Sequence, residues 1–562
     1  MLETNRRQAP ATTDAPAPWW RYGAFYQIYP RSFADGNGDG TGDLAGIRSK
    51  LDYLAGLGVD AVWLSPWFDS PFRDGGYDVA DYRSIHPMFG TLDDARLLMS
   101  DAAAAGLRVM FDLVPNHTSS EHLWFKQALA SAPASAARAR YHFRDGSGPN
   151  GDQPPNNWRS LFGGPAWTQV ADGQWYLHLF DPGQPDLNWA NDDVCAEFDD
   201  TIRFWIELGA AGFRTDVAHG LSKDADYPDL VEPADVTPDP GGGEHPYWER
   251  SDAHDHFRRW RRILDSYPSE PIMVAEAWAA TAPRLARYVR PDEFNQAFNF
   301  FFLETPWSVH AMRSVIESSI TAAAAVGNVP TWVLSNHDVM RPATRFGLPD
   351  GLKRHDVSEW VVSGDRALLD VDTGRRRALA ASMLAMALPG SVYLYQGEEL
   401  GLPEVHDLPP DVLDDPIWAS SGNTMKGRDG CRVPIPWTTT PPGFGFTSGA
   451  PWLPLPPTWG KLSAQAQTGV DGSPLETTRR ALSLRRDHLL HPDFEWLDID
   501  GDVIGFRRRA LRCYVNLGAS AIPLPDGQLL HSSGPLAADG LPPDTTIWML
   551  DNLTSALQGN PA

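Results

Sequence analysis

The stretch RVMFDLVPNH at 108–117 contains a pattern that recurs through most of the chain. Its first half is a short, mostly apolar run, typical of a buried strand, and polar residues follow where that run ends. Similar runs recur along the chain, at 24–29, 61–64, 212–216, 272–276, 331–334 and 392–395. Helical patterns separate most of them, and strands that alternate with helices predict a parallel sheet covered by helices.

The regular alternation breaks in two places, and these breaks predict the domain organisation. Residues 118–186 are rich in Pro, Gly, Asn and Trp, which indicates an inserted irregular subdomain. Short strands separated by Asp-Gly turns dominate 481–562. We therefore expect an α/β fold: a (β/α)8 TIM barrel built from 19–117 and 187–480, a subdomain inserted after the third strand, and a C-terminal antiparallel β-sandwich domain. The polar residues 1–18 are expected to be a disordered tail.

Composition excludes several classes of function. The 562 residues include 72 acidic and 47 basic side chains, a net charge of −25, which argues against nucleic acid as a partner. Runs of about 18 apolar residues are absent from the sequence, which argues against a membrane span, and the amino-terminal stretch lacks the apolar core of a secretory signal. The three cysteines, Cys195, Cys431 and Cys513, are far apart, so we expect a cytoplasmic protein without disulfides.

Three carboxylates stand at or just beyond the ends of apolar strands: Asp216, Glu276 and Asp338. Residues just beyond the carboxyl ends of barrel strands meet at one open face. A single aspartate there could equally cap a helix, but three together favour a site. Glycoside hydrolysis requires one carboxylate at the anomeric carbon and one carboxylic acid that protonates the leaving oxygen.

Four segments occur in the order and spacing of a known family: DLVPNH at 112–117, GFRTD at 212–216, the strand ending at Glu276, and SNHD at 335–338. They resemble the signature regions of the α-amylase clan. Further stretches resemble its oligo-1,6-glucosidase/α-glucosidase branch, namely DGGYD at 74–78, GQPDLNW at 183–189, LYQGEELG at 394–401 and GRDGCRVPIPW at 427–437. The resemblance covers nearly the whole chain from Trp20 onward.

The resemblance implies that Asp216 is the nucleophile, that Glu276 is the general acid/base, and that Asp338 is a third carboxylate that grips sugar hydroxyls. Elementary electrostatics agrees with this division. Arg214 lies two residues earlier on the same strand face and is expected to keep Asp216 ionised. Glu276 is followed by Ala and Trp, an apolar setting that should hold its proton. Carboxyl groups about 5–5.5 Å apart would give retention of configuration.

The resemblance also implies the substrate contacts. His117 and His337 would hydrogen-bond the terminal glucose, and Tyr77 would stack under its ring. Asp74 and Arg428 would hold its 4-hydroxyl group and leave no room for a further sugar. The expected activity is therefore that of an exo-acting retaining α-glucosidase, which releases α-glucose from maltose and short malto-oligosaccharides as a monomer or small homo-oligomer.

The acidic segment DGNGDGTGDL at 35–44 is a second candidate site. Its spacing of oxygen-bearing side chains matches the first half of a calcium loop, with Gly40 at the sharp turn, but it lacks the glutamate that closes an EF-hand. A solvated acidic turn is the alternative interpretation. The resemblance implies one structural Ca²⁺, held by Asp35, Asn37, Asp39, Asp43 and the carbonyl of Thr41.

The linkage that the enzyme cuts is the least determined feature. Val217 follows the nucleophile, as in branch members that cut α-1,6 bonds, but Ala218, His219 and Gly220 depart from those members. Ala218 and Gly220 are expected to leave room beside the leaving sugar, which predicts a partial preference for α-1,4 bonds. An isomaltase, a transglycosylating or trehalose-acting enzyme, and an inactive carbohydrate-binding relative are the alternatives; the last usually lacks one of the three carboxylates.

Overall fold

The computed structural model describes residues 17–231, 244–349, 368–538 and 540–551, so most of the expected tail at 1–18 lies outside the described residues. The strands are β1 Ala24–Ile28, β2 Ala61–Leu64, β3 Phe68–Asp69, β4 Asp81–Ile85, β5 Arg108–Leu113, β6 Phe143–Asp145, β7 Trp167–Gln169, β8 Gln174–Leu177, β9 Gly212–Thr215, β10 Ile272–Ala275, β11 Gln296–Ala297, β12 Thr331–Val333, β13 Ser391–Tyr395, β14 Glu495–Trp496, β15 Val503–Arg508, β16 Leu511–Asn516, β17 Gln528–Ser532 and β18 Thr545–Leu550.

The α-helices alternate with the strands through the first four fifths of the chain. They are α1 Leu44–Arg48, α2 Leu51–Leu57, α3 Leu92–Ala104, α4 Leu123–Ala130, α5 Asp192–Leu208, α6 Ala253–Leu264, α7 Ala282–Ala286, α8 Phe300–Glu304, α9 Val309–Ala325, α10 Pro342–Arg345, α11 Val371–Ala387, α12 Pro416–Ser420, α13 Ala464–Gln467 and α14 Pro474–His488. In the described ranges, no helix combines the length and the apolar character needed to cross a bilayer. Each of the three cysteines is a buried, free thiol.

Eight parallel strands form the central sheet, in the order β1, β2, β5, β9, β10, β11, with β13 on the other side of β1 and β12 beyond it. A parallel bridge between Phe298 and Thr331 joins the two outer strands. Successive strands of the sheet are therefore neighbours around a closed barrel, which confirms the predicted (β/α)8 fold.

Strand β11 is the barrel strand that the sequence pattern did not predict. It has two residues, and one of them is the buried polar residue Gln296. The Gln296 side chain donates to the Trp20 carbonyl at 2.7 Å and accepts from the Tyr393 hydroxyl at 2.7 Å. Because its neighbours on both sides hold this strand, it does not need the apolar run by which strands are identified in a sequence.

Side chains from the strands fill the inside of the barrel. Phe25 of β1 points inward and stacks on Tyr393 with ring centres 4.4 Å apart, whereas Tyr26 points outward to the helices. The inner cluster also contains Trp63, Met110, Val274 and Val333. The barrel is thus a packed core rather than a pore, so a site has to lie beyond the strand ends.

The inserted subdomain follows β5 and contains the antiparallel sheet β6–β8–β7. Its central strand, β8, is Gln174–Leu177. The subdomain core includes Trp158 and Trp167, and it continues into the barrel loops through Val217, Tyr247 and Trp248. The subdomain therefore packs directly against the residue that follows Asp216.

The C-terminal strands form one five-stranded antiparallel sheet in the order β14–β15–β16–β18–β17. One face, with Phe506 and Trp548, joins the core that the barrel helices share, and the other face carries Tyr514. The antiparallel sheet is confirmed. In place of the second layer of a sandwich, the segment that pairs Ile522 with Leu541 covers the outer face among the described residues. The expected boundary at 481 falls inside α14, and the first strand begins at Glu495.

The buried arginine Arg485 of α14 ties the amino-terminal end of the barrel together. Its side chain is 2% exposed, and its guanidinium donates to backbone carbonyls of Tyr22, Met386, Leu388 and Gly390. Burial lowers its pKa to about 10. The neutral carbonyl groups around this cation belong to chain segments just before β1 and β13, so the residue links helix, barrel and amino-terminal segment.

Replacing Arg485 with Met should destabilise the protein without changing its chemistry. Several buried carbonyl groups would lose their donor, and we expect the free energy of unfolding to fall by about 3 kcal/mol or more. Denaturant unfolding followed by tryptophan fluorescence measures this. The matched control is Arg486→Met, because Arg486 is the next residue of the same helix and its side chain is 55% exposed. Equal stability of the two variants would contradict the assigned role.

Candidate active site

The barrel brings the strand-end carboxylates to one open face. Asp216 follows the last residue of β9, and Glu276 follows the last residue of β10. Thr215 and Ala275 are paired in register, so these two carboxylates emerge side by side. Both are 7% exposed. Asp338 approaches the same face from the loop after β12 and contacts the arginines that hold the other end of the site.

Arg214 is the cation beneath the two strand-end carboxylates. One guanidinium nitrogen lies 2.5 Å from Asp216 Oδ1 and 2.7 Å from Asp112 Oδ1, and the other lies 3.8 Å from Glu276 Oε2. The contact with Asp216 is the one that the alternate-residue spacing predicted. The contact with Asp112 arises because Asp112 and Arg214 face each other in the register of β5 and β9.

Burial and Arg214 act in opposite directions on these acids. Burial raises the pKa of Asp216 well above its usual range, Arg214 lowers it, and repulsion by Glu276 and Asp112 raises it again. Burial likewise raises the pKa of Glu276, against Arg214 and the Val217 amide. The surroundings of Glu276 are therefore more polar than the neighbouring Ala and Trp suggested. Because Arg214 is closer to Asp216 than to Glu276, its charge favours the ionised form of Asp216 more strongly than that of Glu276.

Arg428 joins three carboxylates at the other end of the site. Its three guanidinium nitrogens lie 2.7 Å from Asp74, 3.0 Å from Asp338 and 2.5 Å from Asp415. Arg432 lies 3.1 Å from the same oxygen of Asp338. Burial alone would raise the pKa of Asp338, but His337, Arg428 and Arg432 outweigh it and hold that pKa well below the usual range.

The aromatic and histidine side chains form a layer between these two cationic centres. Tyr77 stacks on His337 with ring centres 5.4 Å apart, and its hydroxyl lies 2.7 Å from His337 Nε2. Gln27 Nε2 lies 2.7 Å from the other ring nitrogen of His337. Burial lowers the pKa of His337 to about 3, so its ring is neutral. His117 lies 3.2 Å from the Tyr77 carbonyl and 3.2 Å from the Gln184 amide.

Val217 adopts a left-handed backbone with φ 45° and ψ 42°. A β-branched residue rarely adopts this conformation, which costs about 1–3 kcal/mol. Its amide donates to Glu276 Oε2 at 2.7 Å. The sequence did not predict this backbone contact, because a sequence pattern gives the type of a residue but not its φ angle.

The expected room at Ala218 and Gly220 is not present, and that part of the prediction is wrong. Ala218 is fully buried, and Gly220 is also buried. A Cβ built on Gly220 would lie 2.6 Å from the Trp248 ring and 2.8 Å from a Val217 methyl group. Trp248, which a distant loop supplies, therefore occupies the space beside Gly220, and no room is left there for a sugar.

The acidic loop at 35–44 is folded through side chain to backbone hydrogen bonds. Asp35 accepts from the amides of Asn37 and Gly38, at 3.0 and 2.6 Å. Asn37 accepts from the amide of Asp39 at 2.8 Å, Asp39 accepts from the amide of Thr41 at 2.9 Å, and Asp43 caps α1 by accepting from Gly46 at 2.6 Å. The oxygen donors suit Ca²⁺. Within the part of the chain that the structure describes, no three His, Cys, Asp or Glu side chains already form a metal cluster.

Five polar residues of the site were not identified in the sequence: Gln27, Asp112, Gln184, Asp415 and Arg432. Asp112, Gln184 and Arg432 stand inside segments that carried the family resemblance, and the charge of Asp112 within an apolar run was an available signal. Gln184 donates to Asp74 Oδ2 at 3.1 Å from the end of the subdomain. Asp415 lies in a long Pro-rich loop, where acidic residues are common and nothing distinguishes one from another.

Comparisons with known proteins agree on one family. The family model described as the catalytic domain of α-amylase matches residues 27–492. A probable α-glucosidase from Rhizobium meliloti (strain 1021) is 37% identical over 505 residues, which cover 87% of each chain. A trehalose-6-phosphate hydrolase from Escherichia coli (strain K12) is 35% identical over 506 residues, 84% of each chain. The crystal structure of an α-glucosyl transfer enzyme is 35% identical, with a TM-score of 0.81 over 95% of this chain and 100% of that chain.

Proposed function

The chain belongs to the α-amylase family of glycoside hydrolases, whose members act with retention of configuration, and we propose that it is an exo-acting α-glucosidase. Its substrates are maltose and short malto-oligosaccharides, from whose non-reducing ends it releases α-glucose. The similarity to a probable α-glucosidase over 87% of both chains supports this proposal. The site geometry supports it independently.

The contact of Arg428 with both Asp74 and Asp338 is the observation that carries the proposal. One guanidinium links these carboxylates at 2.7 and 3.0 Å, and it also lies 5.9 Å from the centre of the Phe162 ring of the subdomain. Charged groups that are held by several ion pairs, as these are, can hydrogen-bond the hydroxyl groups of a terminal sugar. A glucan chain that continued beyond that sugar would have to displace the ion pairs, so they favour attack at the chain end.

The two carboxylates on Arg214 then divide the reaction. Asp216 Oδ bonds to the anomeric carbon while the glycosidic bond breaks and Glu276 gives its proton to the departing oxygen. In the second step Glu276 takes a proton from water, whose oxygen bonds to the anomeric carbon as the bond to Asp216 breaks. Arg214 favours the ionised Asp216 that this scheme requires, since it lies 2.5 Å away.

The remaining predicted residues surround the terminal sugar in this proposal. His337 and His117 supply hydrogen bonds, and each is neutral in its buried position because burial lowers its pKa. Tyr77 is held by His337 and Asp112, so its ring is fixed before a substrate arrives. Asp338, kept ionised by Arg428 and Arg432, accepts hydrogen bonds from sugar hydroxyls.

Replacing Asp216 with Asn or Glu276 with Gln should each lower kcat by several orders of magnitude while leaving the fold intact, because each change removes a group that acts on the reacting bond. Substantial activity of the Asp216 variant would contradict the nucleophile assignment.

The raised pKa of Glu276 predicts that wild-type activity falls as the pH rises through that pKa, since the acid must carry its proton. The pH profile of kcat/KM measures this.

Product analysis on a panel of substrates tests the proposed function directly. With maltose, maltotriose and maltoheptaose we expect glucose as the first product, and NMR during early turnover should detect the α-anomer. Isomaltose, trehalose and trehalose-6-phosphate complete the panel. Faster cleavage of isomaltose would favour an isomaltase, and cleavage within maltoheptaose or initial β-glucose would contradict the proposal.

The preference between maltose and isomaltose rests on few contacts. Val217 is 5% exposed, and its packing against aromatic side chains restricts movement of its side chain. Differences of a methyl group in such a contact discriminate by about 1–3 kcal/mol at most. We therefore propose that both linkages are cut. Because Ala218 and Gly220 leave no extra room, the similarity to a probable α-glucosidase is what favours maltose as the better substrate. We also propose that high maltose concentrations add transglycosylation products.

We also propose that the loop at 35–44 binds one structural Ca²⁺. The side chains of Asp35, Asn37, Asp39 and Asp43 and the carbonyl of Thr41 would hold it, a set of oxygen donors that Ca²⁺ prefers. The ion would neutralise three acidic groups that otherwise repel one another. It would contribute to stability, and no catalytic step involves it.

Chelation of Ca²⁺ should lower the melting temperature and leave the chemical step unchanged. An ion present at about a hundred times its Kd stabilises the folded state by about 3 kcal/mol. Thermal unfolding with EGTA and with added Ca²⁺ measures the difference, and elemental analysis checks the ion. The Asp39→Asn variant should lose the difference, whereas Asp152→Asn, in an exposed glycine-containing loop of the subdomain, should keep it. A wild type that is insensitive to EGTA and free of metal would show that the loop is only a turn.

A further inference from the structure

The backbone at Val217 directs two successive amides at one residue. The Val217 amide donates to Glu276 Oε2 at 2.7 Å, and the Ala218 amide donates to the Glu276 carbonyl at 2.9 Å. Along an extended strand, successive amides point in opposite directions. The left-handed conformation at Val217, with φ 45°, therefore turns the chain so that both amides meet Glu276.

Packing from distant segments holds this unfavourable conformation. The Val217 side chain lies in a buried cluster with Trp158, Tyr247 and Trp248. Trp248 also stacks on His219, with ring centres 4.6 Å apart, and occupies the space beside Gly220. A strained backbone of this kind persists only where the surrounding structure determines it, and such sites cluster where function depends on them.

The Glu276 carboxyl group has charged neighbours on several sides. Arg214 and Asp216 approach it from β9 and its end, and Asp338 approaches from the loop after β12. His219 hydrogen-bonds the backbone of Glu276, and burial keeps its ring neutral by lowering its pKa to about 3. Arg214, at 3.8 Å, is too distant to orient the carboxyl group by a hydrogen bond. The Val217 amide and the Trp278 side chain are therefore the hydrogen-bond partners that orient it, and the amide is the one that holds Oε2.

We propose that the Val217 amide is a positioning group that holds Oε2 of Glu276, so that the other carboxyl oxygen carries the proton to the glycosidic oxygen. The left-handed backbone and the aromatic cluster around Val217 serve to aim this amide. The inference rests on the proposed function, because it assigns a task within the same reaction. It concerns the backbone of residue 217, whereas a specificity role would reside in its side chain.

An amide-to-ester exchange at residue 217 of the full-length chain tests the proposal. Cell-free translation with α-hydroxyisovalerate in place of Val217 keeps the side chain and removes the N–H group. We expect kcat/KM for maltose to fall about tenfold or more, within the range that general acid catalysis supplies. The fall should be smaller for 4-nitrophenyl α-glucoside, because nitrophenolate departs with little help from an acid.

The pH profile adds a readout that a purely structural role would not move. The amide donates to the ionised carboxylate and lowers its pKa, so its removal raises that pKa. Activity that needs protonated Glu276 is lost as the pH rises through the pKa. The alkaline limb of the ester variant should therefore shift to higher pH. An unchanged limb, with equal loss on both substrates, would overturn the proposal.

Glu270 provides the matched control. It is another non-glycine residue in the left-handed region, with φ 51°, and its amide donates to the Tyr267 carbonyl at 3.2 Å. It precedes β10, at the opposite end of the barrel from Glu276. The ester exchange at 270 should leave the ratio of the two substrates and the pH profile unchanged; a change as large as that at 217 would overturn the proposal.

Conventional variants cover the case in which the ester chain does not fold. Val217→Gly permits the left-handed conformation but removes the side chain whose packing against Trp158, Tyr247 and Trp248 holds it, and glycine also occupies many other conformations. We expect the maltose to nitrophenyl-glucoside ratio to fall in Val217→Gly and to stay constant in Glu270→Gly; a constant ratio in both would overturn the inference. A wild type without activity on either substrate would refute the proposed function and this inference together, whereas an active wild type with an unaffected 217 variant would refute the inference alone.

Discussion

Buried positive charge is the constraint on which the active-site end of the barrel depends. Six carboxyl groups contact three guanidinium groups there; the acids are Asp74, Asp112, Asp216, Glu276, Asp338 and Asp415, and the cations are Arg214, Arg428 and Arg432. Burial alone raises the pKa of a carboxyl group, so without the arginines these acids would tend to be protonated. The distances from each acid to the arginines decide which of them stay ionised.

The two cationic centres serve different ends of the site. Arg214 lies beneath Asp216 and Glu276, and its shorter distance to Asp216 favours the negative charge on that residue. Arg428 closes the far end and, with Arg432, keeps Asp338 ionised. Asp112 contacts both Arg214 and the Tyr77 hydroxyl, so it connects the arginine to the aromatic side chains of the site. Burial raises the pKa of Asp112 to about 6.

Stability and chemistry reside at opposite ends of the barrel. The amino-terminal end is covered by the segment around Trp19 and Trp20 and tied by Arg485 to backbone carbonyls. The carboxyl-terminal end is shaped by the subdomain, whose aromatic core reaches Val217. Trp248, which belongs to a loop, therefore packs beside Val217, the residue that follows Asp216, although the two are far apart in sequence.

Local sequence pattern was sufficient to predict most barrel strands, the strand-end positions of Asp216 and Glu276, and the contact of Arg214 with Asp216 two residues away. The other features depend on long-range packing, which overrides local preference. Strand β11 is held in place by its neighbours, and Asp415 contacts Arg428 from a loop without a recognisable pattern. Trp248 occupies the space that Gly220 was expected to leave for a sugar. The left-handed backbone at Val217 likewise depends on tertiary packing, because a residue type does not predict a conformation that only its surroundings can hold.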